Sequence, residues 1–111
     1  MYAELTIDQG TTFEEVIDLT NDDETPINLA NTSFSSQIRK SYYSTNPTAN
    51  VVVEIISPAA NGQVRLSIDA ANTANIKAGR YLYDLKMVNS SNVTIRVVEG
   101  IVTVTPQVTS T

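Results

Sequence analysis

Three short clusters in this sequence gather side chains capable of chemistry. The first is Asn21-Asp22-Asp23-Glu24, four oxygen-bearing side chains in a row, the donor type a hard cation such as calcium requires. It lacks the spaced Asp-x-Asp-x-Asp-Gly pattern and the distal Glu of a calcium loop. Asn and Asp also form turns by bonding their own backbone, so the spacing favours a solvated turn. The second cluster is Glu14-Glu15. Consecutive strand side chains leave opposite faces, so these carboxylates cannot converge as a glycosidase acid/base pair must. The third is Arg39-Lys40-Ser41-Tyr42-Tyr43, the one basic and aromatic cluster of the chain. Arg and Tyr are enriched where interfaces concentrate their energy, which makes Arg39, Lys40, Tyr42 and Tyr43 candidates for a protein contact. The same residues equally describe a charged strand end beside a tyrosine-bearing loop, with Lys blunting a sheet edge.

Composition narrows the chemistry further. The 111 residues include no His and no Cys. The chain therefore has neither the usual general base near neutral pH nor a thiolate nucleophile, and no disulfide framework. Its many Ser and Thr hydroxyls have no base at hand to activate them, so no enzyme is expected and no cofactor or metal site. The net charge is −5, with seven basic residues scattered among twelve acidic ones. Phosphate recognition needs clustered Lys and Arg, so neither nucleic acid nor an anionic membrane is an expected partner. Asn31-Thr32-Ser33, Asn89-Ser90-Ser91 and Asn92-Val93-Thr94 match the glycosylation sequon. The start Met1-Tyr2-Ala3-Glu4 has no charged region followed by an apolar run. Synthesis and folding in a cytoplasm are the expectation, with the sequons as chance matches.

The elements that must position these groups follow a period of two. Strands are predicted over 2–8, 12–19, 32–40, 50–57, 63–69, 80–87 and 93–105. The inner faces are assigned to Leu5 and Ile7; Phe13, Ile17 and Leu19; Phe34, Ser36 and Ile38; Val64, Leu66 and Ile68; and Tyr81, Tyr83, Leu85 and Met87. Ile27 and Leu29 are expected to tuck beneath the strands. Residues 70–78 break the rhythm, with Ala71 and Ala74 at helical spacing, Asp69 placed to cap the start and Gly79 suited to a left-handed position at the end. Gly100 interrupts the last strand, which marks a bulge or a close backbone approach. Pro106 ends the pairing and leaves 106–111 as a C-terminal arm.

Seven short, evenly spaced strands in about a hundred residues point to an all-β fold of one domain, 1–111: an immunoglobulin-like β-sandwich of about seven antiparallel strands with one short helical turn. The most specific local pattern is Gly79-Arg80-Tyr81-Leu82-Tyr83. In immunoglobulin-like domains a Tyr at the corner before the penultimate strand bonds back to upstream backbone, and Gly79, Tyr81 and Tyr83 have that spacing. Alternatively both tyrosines pack in the core with their hydroxyls at its edge. Either role is structural.

Four segments resemble the small β domains of tailed-bacteriophage virion proteins, cyanophage structural proteins among them, and the N-terminal domains of baseplate upper proteins. They are Leu5-Thr6-Ile7-Asp8-Gln9-Gly10-Thr11-Thr12-Phe13, then Gln37 to Tyr43, then Ala78-Gly79-Arg80-Tyr81-Leu82-Tyr83-Asp84-Leu85, and Arg96-Val97-Val98-Glu99-Gly100-Ile101-Val102-Thr103-Val104-Thr105-Pro106. The resemblance implies a structural component of a virion, assembled in the host cytoplasm, whose partners are capsid or tail subunits and possible further copies of itself. A decoration or cement protein bound to the capsid lattice is the first expectation, a tail, neck or baseplate adaptor the second. A carbohydrate- or cell-surface-binding module is the alternative from another class, resting on Tyr42 and Tyr43.

Overall fold

The structure is a computed structural model that describes residues 1–41 and 48–108. Alternating burial along each strand follows directly from the alternating sequence. The elements are β1 (Leu5–Asp8), β2 (Phe13–Asp18), β3 (Ser33–Arg39), β4 (Ala49–Ile55), a 3-10 turn (Ala59–Asn61), β5 (Gln63–Ile68), α1 (Ala70–Ala74), β6 (Gly79–Val88) and β7 (Thr94–Thr105). In β5 the pattern is strict: Val64, Leu66 and Ile68 are buried, while Gln63, Arg65 and Ser67 are half-exposed. A fully buried aliphatic side chain contributes about 1.5–3 kcal/mol, so such strands are held chiefly by their inner faces.

The strands form one hydrogen-bonded ladder in the order β1-β7-β6-β3-β4-β5-β2. All-β architecture is thus established. The ladder curls until it is nearly closed into a barrel, and the inner side chains of both halves share one core. Strand β4 belongs to both halves. Its first residues pair with β3 (Val51 opposite Ser36, Ala49 opposite Ile38), and its remainder pairs with β5 (Val52 opposite Ser67, Ile55 opposite Val64). Leu29 is fully buried and Ile27 packs against the core from the β2–β3 connection.

The expectation of uniformly antiparallel strands is corrected at one place. β1 runs parallel to β7, with Leu5 opposite Val102 and Asp8 opposite Thr105. Hairpins join neighbours in sequence and so are antiparallel, whereas β1 and β7 are the first and last strands and meet with no hairpin to set their sense. Residues 1–3 continue the pairing upstream: Ala3 N donates to Glu99 O at 3.0 Å and Glu99 N to Met1 O at 3.0 Å.

The helical segment is shorter than expected and ends earlier. Asp69 caps α1, its carboxylate accepting from Asn72 N at 2.9 Å, and Asn75 closes the helix in a right-handed conformation. Gly79 therefore does not terminate the helix. It opens β6 at φ +147°, opposite Val104. Polar groups drawn into the interior are satisfied: Ser36 Oγ donates to Asp84 O at 2.6 Å, and Thr73 Oγ1 to Thr11 O at 2.7 Å. Among the described residues no buried side-chain polar atom lacks a partner.

Candidate protein-contact surface

Strands β3, β6 and β7 lie side by side, and their register dictates which outward side chains become neighbours. Odd positions of β6 are buried, so Arg80, Leu82, Asp84 and Lys86 point outward. Arg80 lies opposite Thr103 of β7; Leu82 is flanked by Arg39 of β3 and Ile101 of β7. Asp84 lies between Gln37 and Glu99, and Lys86 between Ser35 and Arg96. The last pairing depends on a bulge. The register shifts between Leu85 and Lys86, leaving Val97 as the extra residue and returning Arg96 to the outer face.

The outcome is a shallow groove lined by Gln37, Arg39, Leu82, Asp84, Arg96 and Glu99 among others. Half-buried Leu82 supplies apolar surface within it, its cross-strand neighbour Ile101 lies beside it, and its flanks carry charge. Arg96 is pinned in the groove by two carboxylates, Asp84 Oδ2 at 3.5 Å and Glu99 Oε2 at 3.3 Å. All three side chains are partly exposed, so these pairs orient Arg96 more than they stabilise the fold. Arg39 donates to Gln37 Oε1 at 2.9 Å, which aligns it along β3. Such a face can bind, through its apolar surface and fixed guanidinium groups.

The residues singled out in the sequence separate in space. Arg39 lies on this face. Lys40 follows at the sheet's end, its Nζ 4.8 Å from the Tyr81 ring centroid and 3.4 Å from Arg80 O. That cation–π contact commits Lys40 to bracing the β6 corner. Tyr42 and Tyr43 lie outside the described residues. Gln37, Leu82, Asp84, Lys86, Arg96 and Glu99 were missed as a group, although all but Arg96, which the bulge turns outward, are outward positions in alternating strands. Only the register reveals that they meet.

At the corner, the Tyr81 hydroxyl donates to Lys77 O at 2.5 Å, four residues upstream. The Tyr83 hydroxyl instead reaches across to Ala3 O at 2.6 Å. Burial first, then the negative charge of Glu15 and the neighbouring Tyr2, push the Tyr83 phenol up to about 12. The acidic loop is occupied with itself. Asp23 Oδ1 accepts from Thr25 Oγ1 at 2.6 Å and from Thr25 N at 3.1 Å. The Thr25 hydroxyl and amide thereby hold the Asp23 carboxyl below its ordinary value. Among the described residues no group of three or more His, Cys, Asp or Glu could hold a metal ion.

No protein-family profile matches this sequence, and no curated protein matches it either. Among solved structures the chain resembles an internalin-like protein of Listeria monocytogenes at 19% identity and a TM-score of 0.52, covering 92% of this chain and 27% of that one. CopC from Methylosinus trichosporium OB3b is matched at 15% identity and a TM-score of 0.42, over 70% of this chain and 67% of that chain. The chain thus spans about a quarter of the internalin-like protein's length, and the likeness between them is one of fold.

Proposed function

We propose that this chain is a non-enzymatic assembly protein built as an immunoglobulin-like sandwich, and that it serves as a structural component of a tailed-phage virion. Three features support the sandwich. The order β7-β6-β3 on one sheet and β4-β5-β2 on the other parallels the CFG and BED arrangement of immunoglobulin domains. Tyr81 stands near the start of the penultimate strand and bonds to backbone four residues upstream, as a tyrosine corner does. Tyr83, two residues on, takes the place of the second cysteine of antibody domains, so packing replaces the disulfide between sheets.

The observation that carries the assembly reading is the outer face of β3, β6 and β7. It sets Leu82 and Ile101 among Arg39, Arg80, Lys86 and Arg96, with Asp84 and Glu99 holding Arg96 in place. Arg-rich rims around small apolar centres are the anatomy of protein interfaces. The virion assignment itself rests on the four segments that resemble phage virion domains, and a capsid decoration role is preferred. Quantitative mass spectrometry of purified particles tests it. Decoration requires roughly hundreds of copies per particle, whereas an adaptor at the tail or neck would be present at about six or twelve. Absence from the particle removes the virion reading.

A further inference from the structure

We propose that the two outer sheet faces are complementary to each other, so that the β3–β6–β7 face of one copy docks on the β2–β5–β4 face of a second copy. This deepens the assembly reading and rests on it, naming another copy of this chain as the partner.

The argument begins with how the charge is divided. Four of the seven Lys and Arg residues, Arg39, Arg80, Lys86 and Arg96, point out of β3, β6 and β7, against two carboxylates, Asp84 and Glu99, which both pair with Arg96, so this face is net cationic. The opposite outer face is set by the register of β2, β5 and β4. Glu14 lies beside Ser67 and Val52, Val16 beside Arg65 and Glu54, and Asp18 beside Gln63. Its charges are Glu14, Asp18 and Glu54 against the single cation Arg65, which is bridged to Glu54 at 3.1 Å. The apolar groups match as well. Val16 is 48% exposed and Val52 61% exposed, one on each strand flanking β5, facing out where polar residues are the rule. On the other face Leu82 and Ile101, half-buried cross-strand neighbours, supply the apolar surface.

Each face therefore carries what the other lacks, a net positive charge on one and a net negative charge on the other, and both expose apolar side chains between the charges. Two identical faces brought together would oppose like net charge, which is unfavourable. A two-fold symmetric dimer through either face is thus disfavoured, and the unlike faces are left to pair. Contacts between unlike faces are heterologous, so each docked copy presents a fresh face and the assembly closes as a ring or grows as a stack.

Sedimentation of the full chain over a range of concentrations, at low and high salt, is the direct test. Association that strengthens with concentration and weakens with salt is expected. Two charge-reversed variants then separate the faces: Arg80→Glu with Lys86→Glu, and Glu14→Lys with Asp18→Lys. Each alone should associate more than about a hundredfold more weakly than the wild type, because like charges then meet. Mixed in equal amounts, the two should associate again, because the intact cationic face of one meets the intact anionic face of the other and the two reversed faces are themselves opposite in charge. A fold damaged by the substitutions could not produce that rescue. Gln versions of the same four positions give a milder loss if the reversed chains do not fold. A wild type that stays monomeric, or a mixture that does not pair, overturns the proposal. Particle incorporation of a chain that is monomeric in solution would remove self-docking and leave the virion reading intact. Head-to-tail association by a chain absent from particles would do the reverse.

Discussion

The Tyr83 hydroxyl donates at 2.6 Å to the carbonyl oxygen of Ala3, eighty residues earlier in the chain. The ring that carries it lies over Gly100, its cross-strand partner on β7. A Cβ at Gly100 would stand 3.1 Å from the Tyr83 Cε1 atom and would overlap the Ala3 carbonyl oxygen. Tyr83, Gly100 and Ala3 thus form one contact, in which the missing side chain of Gly100 is the space that admits the N-terminal segment. The two tyrosines of the β6 corner therefore divide their work: Tyr81 bonds locally and Tyr83 ties down a distant end.

Tyr83→Phe removes the hydroxyl and leaves the ring. The fold should lose about 1–2 kcal/mol in urea unfolding, the usual cost of an inward-facing acceptor deprived of its donor. Amide exchange at Glu99, whose N–H bonds to Met1 O, should accelerate more than at β5. Uniform acceleration across all strands would show that Tyr83 does not specifically hold the N-terminal segment.

The same residue makes a pH prediction. Tyr83 sits at about 12 in the fold against its ordinary 10.0, because burial and the charge of Glu15 disfavour the phenolate. Its contribution is complete below pH 10. Above that, the unfolded chain ionises first, so stability should fall as the pH rises from 10 towards 12. Tyr83 should titrate late by phenolate absorbance. That late step should vanish in Tyr83→Phe and shift downward in Glu15→Gln.

Gly100→Ala places a methyl group against the Ala3 backbone, which has no rotamer with which to yield. A loss of about 1–3 kcal/mol is expected, in the range of overpacked cores. Because both substitutions act on the same contact, Gly100→Ala with Tyr83→Phe should cost less than the sum of the two. Simple additivity in thermal or urea unfolding would separate the two sites.

At the other end of the fold, Thr73→Val removes the hydroxyl that satisfies Thr11 O and should cost about 1–3 kcal/mol at a fully buried site. Asp69→Ala, which strips the helix of its cap, should cost about 1 kcal/mol. Chemical denaturation distinguishes them by size. Equal effects would mean that α1 is held by its cap rather than by its packing.

Much of the fold was legible because burial writes itself into alternation. Leu5 with Ile7, Phe13 with Ile17, Val64 with Leu66 and Ile68, and Tyr81 with Tyr83, Leu85 and Met87 are all inward and buried. The Asp69 cap was legible too, since an Asp before a short Ala-rich run has a local partner by geometry. Pairing was not legible. No local signal in Leu5 or Val102 says that they meet, or that they meet in parallel. Nor does Val51 announce that the next residue, Val52, changes partner. The Arg39 end of the contact face could be named from its neighbours in sequence. Asp84, Arg96 and Glu99 could not, because they become neighbours only through the β6–β7 register and the bulge at Val97. Gly79 misled for a related reason: the residue suits a helix end and a strand start alike, and only the early stop at Asn75 decides between them.

The parallel pairing of β1 with β7 has a mechanical consequence. These strands lie near the two ends of the chain and point the same way. Tension applied between Met1 and Thr105 would pull β1 backward and β7 forward along their common axis. Every hydrogen bond between them would then be loaded together in shear, whereas an antiparallel pair pulled from its open end would unzip one bond at a time. The domain should resist stretching until the whole β1–β7 patch gives way at once. Single-molecule pulling would register this as one abrupt rupture, and weakening the patch with Gly100→Ala should lower its force. A gradual yield instead would mean that β1 bears no load.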